Sequence, residues 1–290
     1  MPASPPPERS FIDFAADQPE QSRSARQSLA RARHFWVEWI EFGGGTESLV
    51  RGSAAESLLI VAAGPLHLLE SAPASTAAPV TTVPANSVAI VPAGTWCLKG
   101  GPGTRCTRIA SHRDDLATRR AINAQAYDDV SGDQPTALPS YRRLRPLTAP
   151  QVLEFTDIKA STEKPRLKML QTETLSINIV DYLGPRDRAA LSPHSHADFE
   201  QGSLAIHGDF VHHLRTPWGS DANLWREDEH LPAPSPSLVV IPTRVVHTTE
   251  GTGEGRHLLI DIFSPPRQDF IASRWVFNSD DYRAIAADAQ

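Results

Sequence analysis

The pattern of apolar and polar positions along the chain predicts β-strands rather than helices. The stretch HFWVEWIEF, from His34, alternates aromatic or aliphatic residues with polar ones, and residues 172–179 alternate in the same way. A period of two is typical of strands that bury one face. Shorter apolar runs, such as Leu238 to Ile241, end at Pro or Gly turns, as core strands do. With 17 Gly and 25 Pro in 290 residues, the chain is rich in turns, and an all-β body is predicted.

The two halves of the chain share spacings that predict two copies of one β unit. A Glu precedes a Gly by eight positions in each half, and a Pro precedes a Cys or His by five positions. The pairs are Glu56 and Gly64 with Glu200 and Gly208, and Pro92 and Cys97 with Pro242 and His247. The offset between the copies is 144 positions at the first spacing and 150 at the second.

The second copy contains a set of candidate metal ligands. His194 and His196 are two positions apart, so on a strand both imidazoles leave the same face, about 6 to 7 Å apart along the backbone. Glu200 follows four positions later, and His247 lies behind a predicted core strand. Three imidazoles and a carboxylate suit Fe(II), Mn(II), Ni(II), Zn(II) or Cu(II), with one or two coordination positions left for substrate, water or oxygen.

These residues resemble the two motifs of the cupin superfamily. Its first motif runs His-x-His, three or four residues, Glu, about six residues, Gly; here it reads from His194 through Glu200 to Gly208, with the Gly one residue late. The second motif ends a Pro-containing strand with a ligand His, here Pro242 to His247. The ligand spacing is similar to that of acireductone dioxygenases. The resemblance implies two tandem cupin-type double-stranded β-helix (jelly-roll) barrels with a partly helical connector.

A rival interpretation is the metallo-β-lactamase motif, His-x-His-x-Asp-His, which HSHAD matches at its start. Phe199 stands where that motif needs its next His, and no alternating strand and helix pattern surrounds it. The cupin resemblance is therefore preferred.

The first copy lacks the histidines of the second. On the shared spacing, Val50, Gly52 and Cys97 stand at the positions of His194, His196 and His247. We therefore expect a metal site in the second copy alone. The first barrel would then be structural, covering a sheet edge or forming a dimer surface, and the protein is expected to be a homodimer.

Changes in composition along the chain predict how it divides into segments. We expect a partly disordered N-terminal arm at 1–33, with a short helix or an arm from Ser22, and a degenerate barrel without metal ligands at 34–111. A connector follows at 112–150, with a helix over 113–127. The metal-binding barrel is expected at 151–270, with a loop from Ser220 to Ser237, and a tail with a short helix at 271–290.

Composition narrows the possible partners. The net charge of −6 argues against nucleic acid, because nothing would offset phosphate repulsion. No stretch approaches the roughly 20 apolar residues that span a bilayer, so no membrane partner is expected. The N-terminal residues lack a basic start followed by an apolar block, which predicts a cytoplasmic location. Cys97 and Cys106 are too few for a disulfide framework and are expected to be reduced.

Candidate catalytic side chains lie close to the motifs in sequence. His212 and His213 are adjacent, so one should point inward and the other outward, and either one, or His257, could carry a proton. Arg256 opens the last strand and could reach a substrate carboxylate. Gln201 directly follows Glu200 and is expected to face away from the metal.

The sequence leaves three hypotheses for function. The first is a metal-dependent dioxygenase acting on a small organic acid or enolised substrate, with Fe(II) favoured over Mn(II), Ni(II) or Zn(II) at His194, His196, Glu200 and His247. The second is a non-redox metal enzyme, a sugar isomerase or epimerase or a lyase. The third is a non-catalytic module that binds a small molecule.

Overall fold

The computed structural model describes residues 8–16, 20–21, 25–44, 48–71, 79–111, 119–127 and 141–285. Within these residues the chain is mostly strand. The strands are β1 (Ser10–Asp13), β2 (Glu20–Gln21), β3 (Ala25–Arg31), β4 (Phe35–Phe42), β5 (Leu49–Ser53), β6 (Ser57–Ala63), β7 (Leu66–Glu70), β8 (Val80–Val83), β9 (Ser87–Val91), β10 (Gly94–Gly100), β11 (Arg105–Ser111), β12 (Tyr141–Arg143), β13 (Gln151–Glu154), β14 (Met169–Gln171), β15 (Ser176–Leu183), β16 (Gln201–His207), β17 (Asp209–Arg215), β18 (Glu229–Pro234), β19 (Ser237–Ile241), β20 (Val246–Thr252), β21 (Arg256–Phe263) and β22 (Tyr282–Ala284). The described helical elements are α1 (Gln268–Ala272) and 3₁₀ turns at Ala124–Tyr127, Arg188–Ala190, Ala222–Leu224 and Ser279–Asp281.

The chain forms two compact units. The described residues of the first unit fall within Gln18–Ile122, Pro139–Ser176 and Ser264–Gln290. Those of the second unit fall within Met1–Asp17, Asn123–Leu138 and Ile177–Phe263. Each unit is thus assembled from three separate stretches of sequence.

The second unit is a jelly-roll barrel of two sheets. Strands β1, β19, β16, β21 and β15 lie side by side in that order in one sheet, and β18, β17 and β20 form the other. In β17, buried and partly exposed residues alternate, as expected of a strand with one face inward. Buried Leu214, Ala233, Val239, Ile241 and Val245 pack together between the sheets.

The first unit has the same architecture with a larger sheet. Strands β13, β9, β6, β11, β4, β3 and β2 form one sheet, and β5, β10, β7 and β8 the other, while β12 pairs with β22. An apolar cluster of buried residues, including Ile40, Phe42, Leu59 and Leu98, lies between these two sheets.

The predicted internal repeat is present strand by strand. Ser57–Ala63 and Gln201–His207 have the same length at an offset of 144 positions, and Ser87–Val91 and Ser237–Ile241 at an offset of 150. In the first unit Val50 pairs with Cys97, and in the second His194 bridges to His247. The chain is therefore all-β, with two tandem barrels of one design.

The N-terminal segment differs from the predicted arm or helix. Ser10–Asp13 is a strand of the second unit and pairs with Ser237–Val240. Residues 25–31, where a helix or an arm was expected, are a strand that pairs with β4, and Ala25, Leu29 and Ala30 are buried. Ala25 pairs with Phe42 and Ser28 with Trp39, so small residues of β3 lie beside bulky residues of β4. Residues 1–7 and 22–24 lie outside the described part.

The predicted boundary at 151 also differs from the structure. Gln151–Glu154 pairs with β9, in the sheet of the first unit, and residues 264–285 likewise belong to that unit. Of the predicted helix at 113–127, the described part 119–127 holds only the 3₁₀ turn at Ala124–Tyr127. Glu229–Pro234, predicted as loop, is strand β18. The tail contains β22, and residues 286–290 lie outside the described part.

Among the described residues, no helix has the length and apolar composition that crossing a bilayer requires.

Candidate metal centre

Three histidines of the second unit meet at one point. One potential ligand atom from each of His194, His196 and His247 lies within 4.8 Å of the others. Their ring centroids are 4.5 to 5.3 Å apart. His247 is buried and His194 is the most exposed of the three, so the group lies at the mouth of the barrel.

Backbone pairing holds the histidines in place. The amide of His194 donates to the carbonyl of His247 at 3.0 Å, and the amide of His247 donates back to the carbonyl of His194 at 2.8 Å. The amide of Arg244 donates to the carbonyl of His196 at 2.6 Å. The first cupin-like motif is therefore fixed directly to the second, although about fifty residues separate them in sequence.

The hydrogen bonds of two rings define their tautomers. Nδ1 of His194 lies 2.9 Å from the carbonyl of Ser192, and Nδ1 of His247 lies 2.9 Å from the carbonyl of Val245. Because a carbonyl only accepts, each Nδ1 carries a proton, and in the neutral form of the ring Nε2 then keeps its lone pair. Burial, the largest influence, lowers the pKa of His247 to about 4, so this ring is neutral at pH 7.

Gln201, rather than Glu200, faces the histidines. The Gln201 Oε1 atom lies 2.9 Å from Nε2 of His196 and 3.2 Å from Nε2 of His247. Gln201 begins strand β16, pairs with Ile241 and Phe263, and is buried. The expectation that Gln201 faces away was wrong, because the strand starts at Gln201 and turns this residue inward.

The motif spacing contains a signal for this residue. Four residues separate His196 from Gln201, and six separate Gln201 from Gly208, both within the spacing of the cupin motif. Gly208 is one residue late relative to Glu200 and has the spacing of the motif relative to Gln201. The residue type of the motif therefore points to Glu200, whereas its spacing points to Gln201.

Glu200 lies outside the three-histidine group. Its carboxylate oxygens are 3.3 and 3.5 Å from the hydroxyl of Tyr127, in the same unit. The carboxylate that the sequence predicted at the metal therefore interacts with the connector in this structure.

The four side chains form a suitable donor set for a divalent metal. Nε2 of His247 and Oε1 of Gln201 are both lone-pair carriers, yet they face each other at 3.2 Å. Two acceptors at this distance repel unless a cation lies between them. Imidazole nitrogen and amide oxygen are ordinary ligands of first-row transition metals, so the residues fit such an ion.

Among the candidate catalytic residues, His212 is on the strand that pairs with the segment of His247. It is on the inward face of β17, with its Nδ1 3.0 Å from the hydroxyl of Thr249, and it is completely buried. Leu214, two residues after His212 and on the same face of β17, pairs with His247. Burial, more than the nearby His247 and His213, lowers the pKa of His212 to about 3.

The other candidates are held elsewhere in the second unit, and none belongs to the three-histidine group. His213 is on the opposite face of β17 from His212, 3.0 Å from Glu250 and 2.7 Å from His230. His257 stacks on Tyr182, and its Nε2 lies 2.7 Å from the carbonyl of Thr252. The guanidinium of Arg256 forms a bidentate pair with Asp181 at 2.8 and 2.9 Å.

The first unit uses its corresponding residues for packing and hydrogen bonding. The thiol of Cys97 is 3.1 Å from the hydroxyl of Ser48, and both cysteines are free thiols. Glu56, which corresponds to Glu200, accepts from the hydroxyl of Tyr282 at 2.9 Å and pairs with Arg143 at 3.3 Å. Burial raises the pKa of Glu56 despite these partners.

Comparison with known proteins identifies the fold. No protein-family model and no curated protein sequence matches the chain. Among solved structures, a formate complex of Lactobacillus farciminis oxalate decarboxylase is similar over 91% of this chain and 90% of that one, with 12% identity and a TM-score of 0.59. A deletion mutant of Bacillus subtilis oxalate decarboxylase covers 88% and 76%, with 9% identity and a TM-score of 0.56.

A third similar structure is AerE from Microcystis aeruginosa, which covers 90% of this chain and 97% of that one, with 9% identity and a TM-score of 0.53. At these identities the likeness concerns the fold alone. The chain has the all-β architecture of two tandem cupin-type jelly-roll barrels.

Proposed function

We propose that His194, His196, His247 and Gln201 bind a divalent transition metal, and that the second unit is a metal-dependent enzyme. The observation that carries the proposal is that the unprotonated Nε2 of His247 faces the amide oxygen of Gln201 at 3.2 Å. A bound cation would turn this repulsion into coordination. The proposed ion is Fe(II), with Mn(II), Ni(II) and Zn(II) as alternatives.

The ligand set favours an acidic substrate. Three neutral imidazoles and a neutral amide leave the charge of a divalent ion uncompensated by its ligands. A small organic acid or enolised substrate with two neighbouring oxygens would supply both the missing negative charge and a chelating pair. This is the substrate class that we propose.

The proposed reaction is dioxygenation. When bound, Fe(II) would supply the chemistry with dioxygen and would polarise the substrate oxygens. The chain would contribute the rest: Gln201 and the histidines orient the substrate by leaving open positions, and the buried walls around His212 exclude water. His212, uncharged and buried beside this centre, is placed to hydrogen-bond a substrate atom.

The second candidate is a non-redox lyase reaction, specifically a decarboxylation. It is favoured by the similarity in fold to structures that are oxalate decarboxylases. Such a reaction also suits a small acid at a 2+ centre. The proton that the product needs would then have to pass through a neutral His212, since the pKa of this ring is lowered to about 3.

Metal analysis and two turnover assays test the proposal. Elemental analysis of protein purified without a chelating step should find about one transition metal per second unit, and His194→Ala should lose it. Oxygen uptake by the Fe(II) protein with small dicarboxylic and 2-oxo acids would support dioxygenation. Turnover of the same acids by Mn(II) protein under strict anaerobiosis would support the lyase. Protein that takes up no transition metal would contradict both reactions.

A further inference from the structure

A line of amide and carboxylate groups runs away from the metal centre across the inside of the second barrel. Gln201 Nε2 donates to Asp261 Oδ1 at 3.0 Å, and Asn178 Nδ2 donates to Asp261 Oδ2 at 3.2 Å. The hydroxyl of Ser203 also donates to Asp261 Oδ1, at 3.4 Å. Asp261 therefore lies directly behind Gln201 as seen from the histidines.

This arrangement determines which end of the Gln201 amide faces the centre. An ionised carboxylate has acceptors only, so the NH₂ group of Gln201 must be the end that meets Asp261. The carbonyl oxygen is then directed at His196 and His247. If the amide were reversed, an oxygen would face the carboxylate and the NH₂ group would occupy the place of a metal ligand.

Strand pairing makes the contact a fixed feature of the barrel. Asp261 pairs with Ser203, two residues along β16 from Gln201, so both side chains leave the same face of neighbouring strands. Gln201 and Asn178 are 4% and 6% exposed, which leaves little water to replace these partners.

The first unit supplies an internal comparison. Ser57 stands at the position of Gln201, and Arg108 pairs with Leu59 as Asp261 pairs with Ser203. The copy with Val50, Gly52 and Cys97 at the histidine positions thus has neither the amide nor the carboxylate. The Gln201 and Asp261 pair is therefore found in the same barrel as the three histidines.

We propose that Gln201 and Asp261 are a matched pair, in which a neutral amide takes the ligand position and the negative charge is kept one side chain behind it. Asp261 is a positioning residue that acts through Gln201. The inference rests on the proposed metal site. It explains why this barrel has Gln where the cupin motif has Glu: a carboxylate at position 201 would face the Asp261 carboxylate at hydrogen-bond distance, and the two would repel.

The test is a double-mutant cycle on metal affinity, measured by isothermal titration of Mn(II) and by its electron paramagnetic resonance signal. The four proteins are the wild type, Gln201→Glu, Asp261→Asn and the double variant. Asp261→Asn alone should lower affinity about 10- to 100-fold, as loss of an outer partner of a metal ligand does. Gln201→Glu alone should bind no more tightly than the wild type.

The decisive comparison is the effect of Gln201→Glu in the two backgrounds. With Asn at 261 as a donor, the new carboxylate is held in place, and the substitution should raise affinity by at least about tenfold. An equal effect of Gln201→Glu in both backgrounds would overturn the matched pair while leaving the metal site intact. Wild-type protein that binds no Mn(II) would overturn the metal site as well.

Two further variants make the result independent of folding. Glu200→Gln replaces a carboxylate by an amide at the residue next to Gln201. It should leave Mn(II) affinity unchanged, because the Glu200 side chain contacts the hydroxyl of Tyr127. If Asp261→Asn does not fold, Asn178→Ala tests the inference instead. It removes one hydrogen-bond donor to Asp261 and should lower Mn(II) affinity by about tenfold, the low end of the range expected for an outer partner of a metal ligand. Unchanged affinity in Asn178→Ala would contradict the inference. Circular dichroism of every variant checks the fold.

Discussion

Adjacent side chains in the second barrel have different roles because strand alternation turns them to opposite sides. His212 faces inward and meets Thr249, while His213 faces outward and contacts Glu250 and His230. Gln201 faces the histidines, while Glu200, just before the strand, meets Tyr127. At the residue scale, proximity in sequence therefore says little about membership of the metal centre.

A pair of matched His substitutions tests this difference. His247→Gln removes a buried ligand and should lower Mn(II) affinity more than about 100-fold, beyond the range for outer partners. His213→Gln, on the outward face, should leave the affinity unchanged. Isothermal titration measures both. A similar loss in the two variants would place His213 in the centre or show that the fold responds generally to His substitutions.

At the scale of elements, the turn between β16 and β17 requires a glycine. Gly208 has φ +92°, and an added Cβ would lie 2.6 Å from the carbonyl oxygen of Arg256 and 2.9 Å from the ring of His257. The turn thus combines a left-handed backbone with a close approach of the neighbouring strand β21. Both conditions exclude a side chain.

Gly208→Ala should therefore destabilise the protein more than a glycine substitution that is strained in the backbone only. Gly253 is the matched control, with φ +88° and nothing within 4 Å of an added Cβ. Gly253→Ala should cost about 1 to 2 kcal/mol of unfolding free energy, and Gly208→Ala about 1 to 3 kcal/mol more, since β21 must also shift. Urea unfolding compares them. Equal costs would show that β21 can shift without a measurable loss of unfolding free energy.

Elements with a clear hydrophobic period were predictable, and those without one were not. Phe35–Phe42 and Ser176–Leu183 lie where alternation predicted strands. Ala25–Arg31 and Glu229–Pro234 were missed because small, charged and Pro residues conceal their alternation. Their strand state comes from pairing with β4 and β17.

At the scale of the molecule, the two barrels have different polar interiors. The first unit buries Glu38 completely, with Arg51 Nε at 2.8 Å and Arg119 at 2.6 Å, and Gln27 also contacts Arg51. Burial raises the pKa of Glu38, but the hydrogen bond and charge of Arg51, together with Arg119 and Arg108, outweigh burial and lower it below the ordinary 4.5.

Acid should therefore weaken the first unit through Glu38. A carboxyl with a lowered folded-state pKa stabilises the fold above its unfolded value, near 4.5, and this stability is lost as the pH falls through the lower folded value. Unfolding free energy should fall below about pH 4.5. Glu38→Gln should cost about 3 to 5 kcal/mol at pH 7, by removing the buried carboxylate that Arg51 and Arg119 share, and should flatten the pH dependence below 4.5.

Glu41→Gln is the control for this series. Glu41 is on the same strand, and its pair with Arg26 is 3.6 Å long, with the two side chains 33% and 43% exposed. It should change stability at pH 7 by less than about 1 kcal/mol. Urea unfolding from pH 7 to 3.5 records the series, and a Glu38→Gln curve with the wild-type slope would contradict the assignment.

Metal binding should stabilise the folded chain as well as load the site. An ion that binds only the folded state adds about 2.7 kcal/mol at a free concentration 100 times its dissociation constant. Chelator-treated protein should therefore melt at a lower temperature and recover with Mn(II), whereas His194→Ala should melt at the same temperature with and without Mn(II). Differential scanning calorimetry measures the shift. An Mn(II) shift in His194→Ala equal to that of the wild type would place the ion elsewhere.

The sequence alone determined the features that depend on short-range pattern. Alternation predicted the β class, and repeated spacings predicted two copies of one barrel. A His-x-His pair two positions apart must place both rings on one face of an extended segment, and His247 follows the predicted core strand that ends before Pro242. These inferences need only local geometry, which a strand imposes wherever it lies.

Only the tertiary structure decided which neighbours those elements have. Whether Glu200 or Gln201 faces the histidines depends on where β16 begins, and this is set by its hydrogen bonds to Ile241 and Phe263. Likewise, Ser10–Asp13 belongs to the second unit because it pairs with β19, more than two hundred residues away. A shift of one residue in register reverses every side chain of a strand, and register is determined by partners that are distant in sequence.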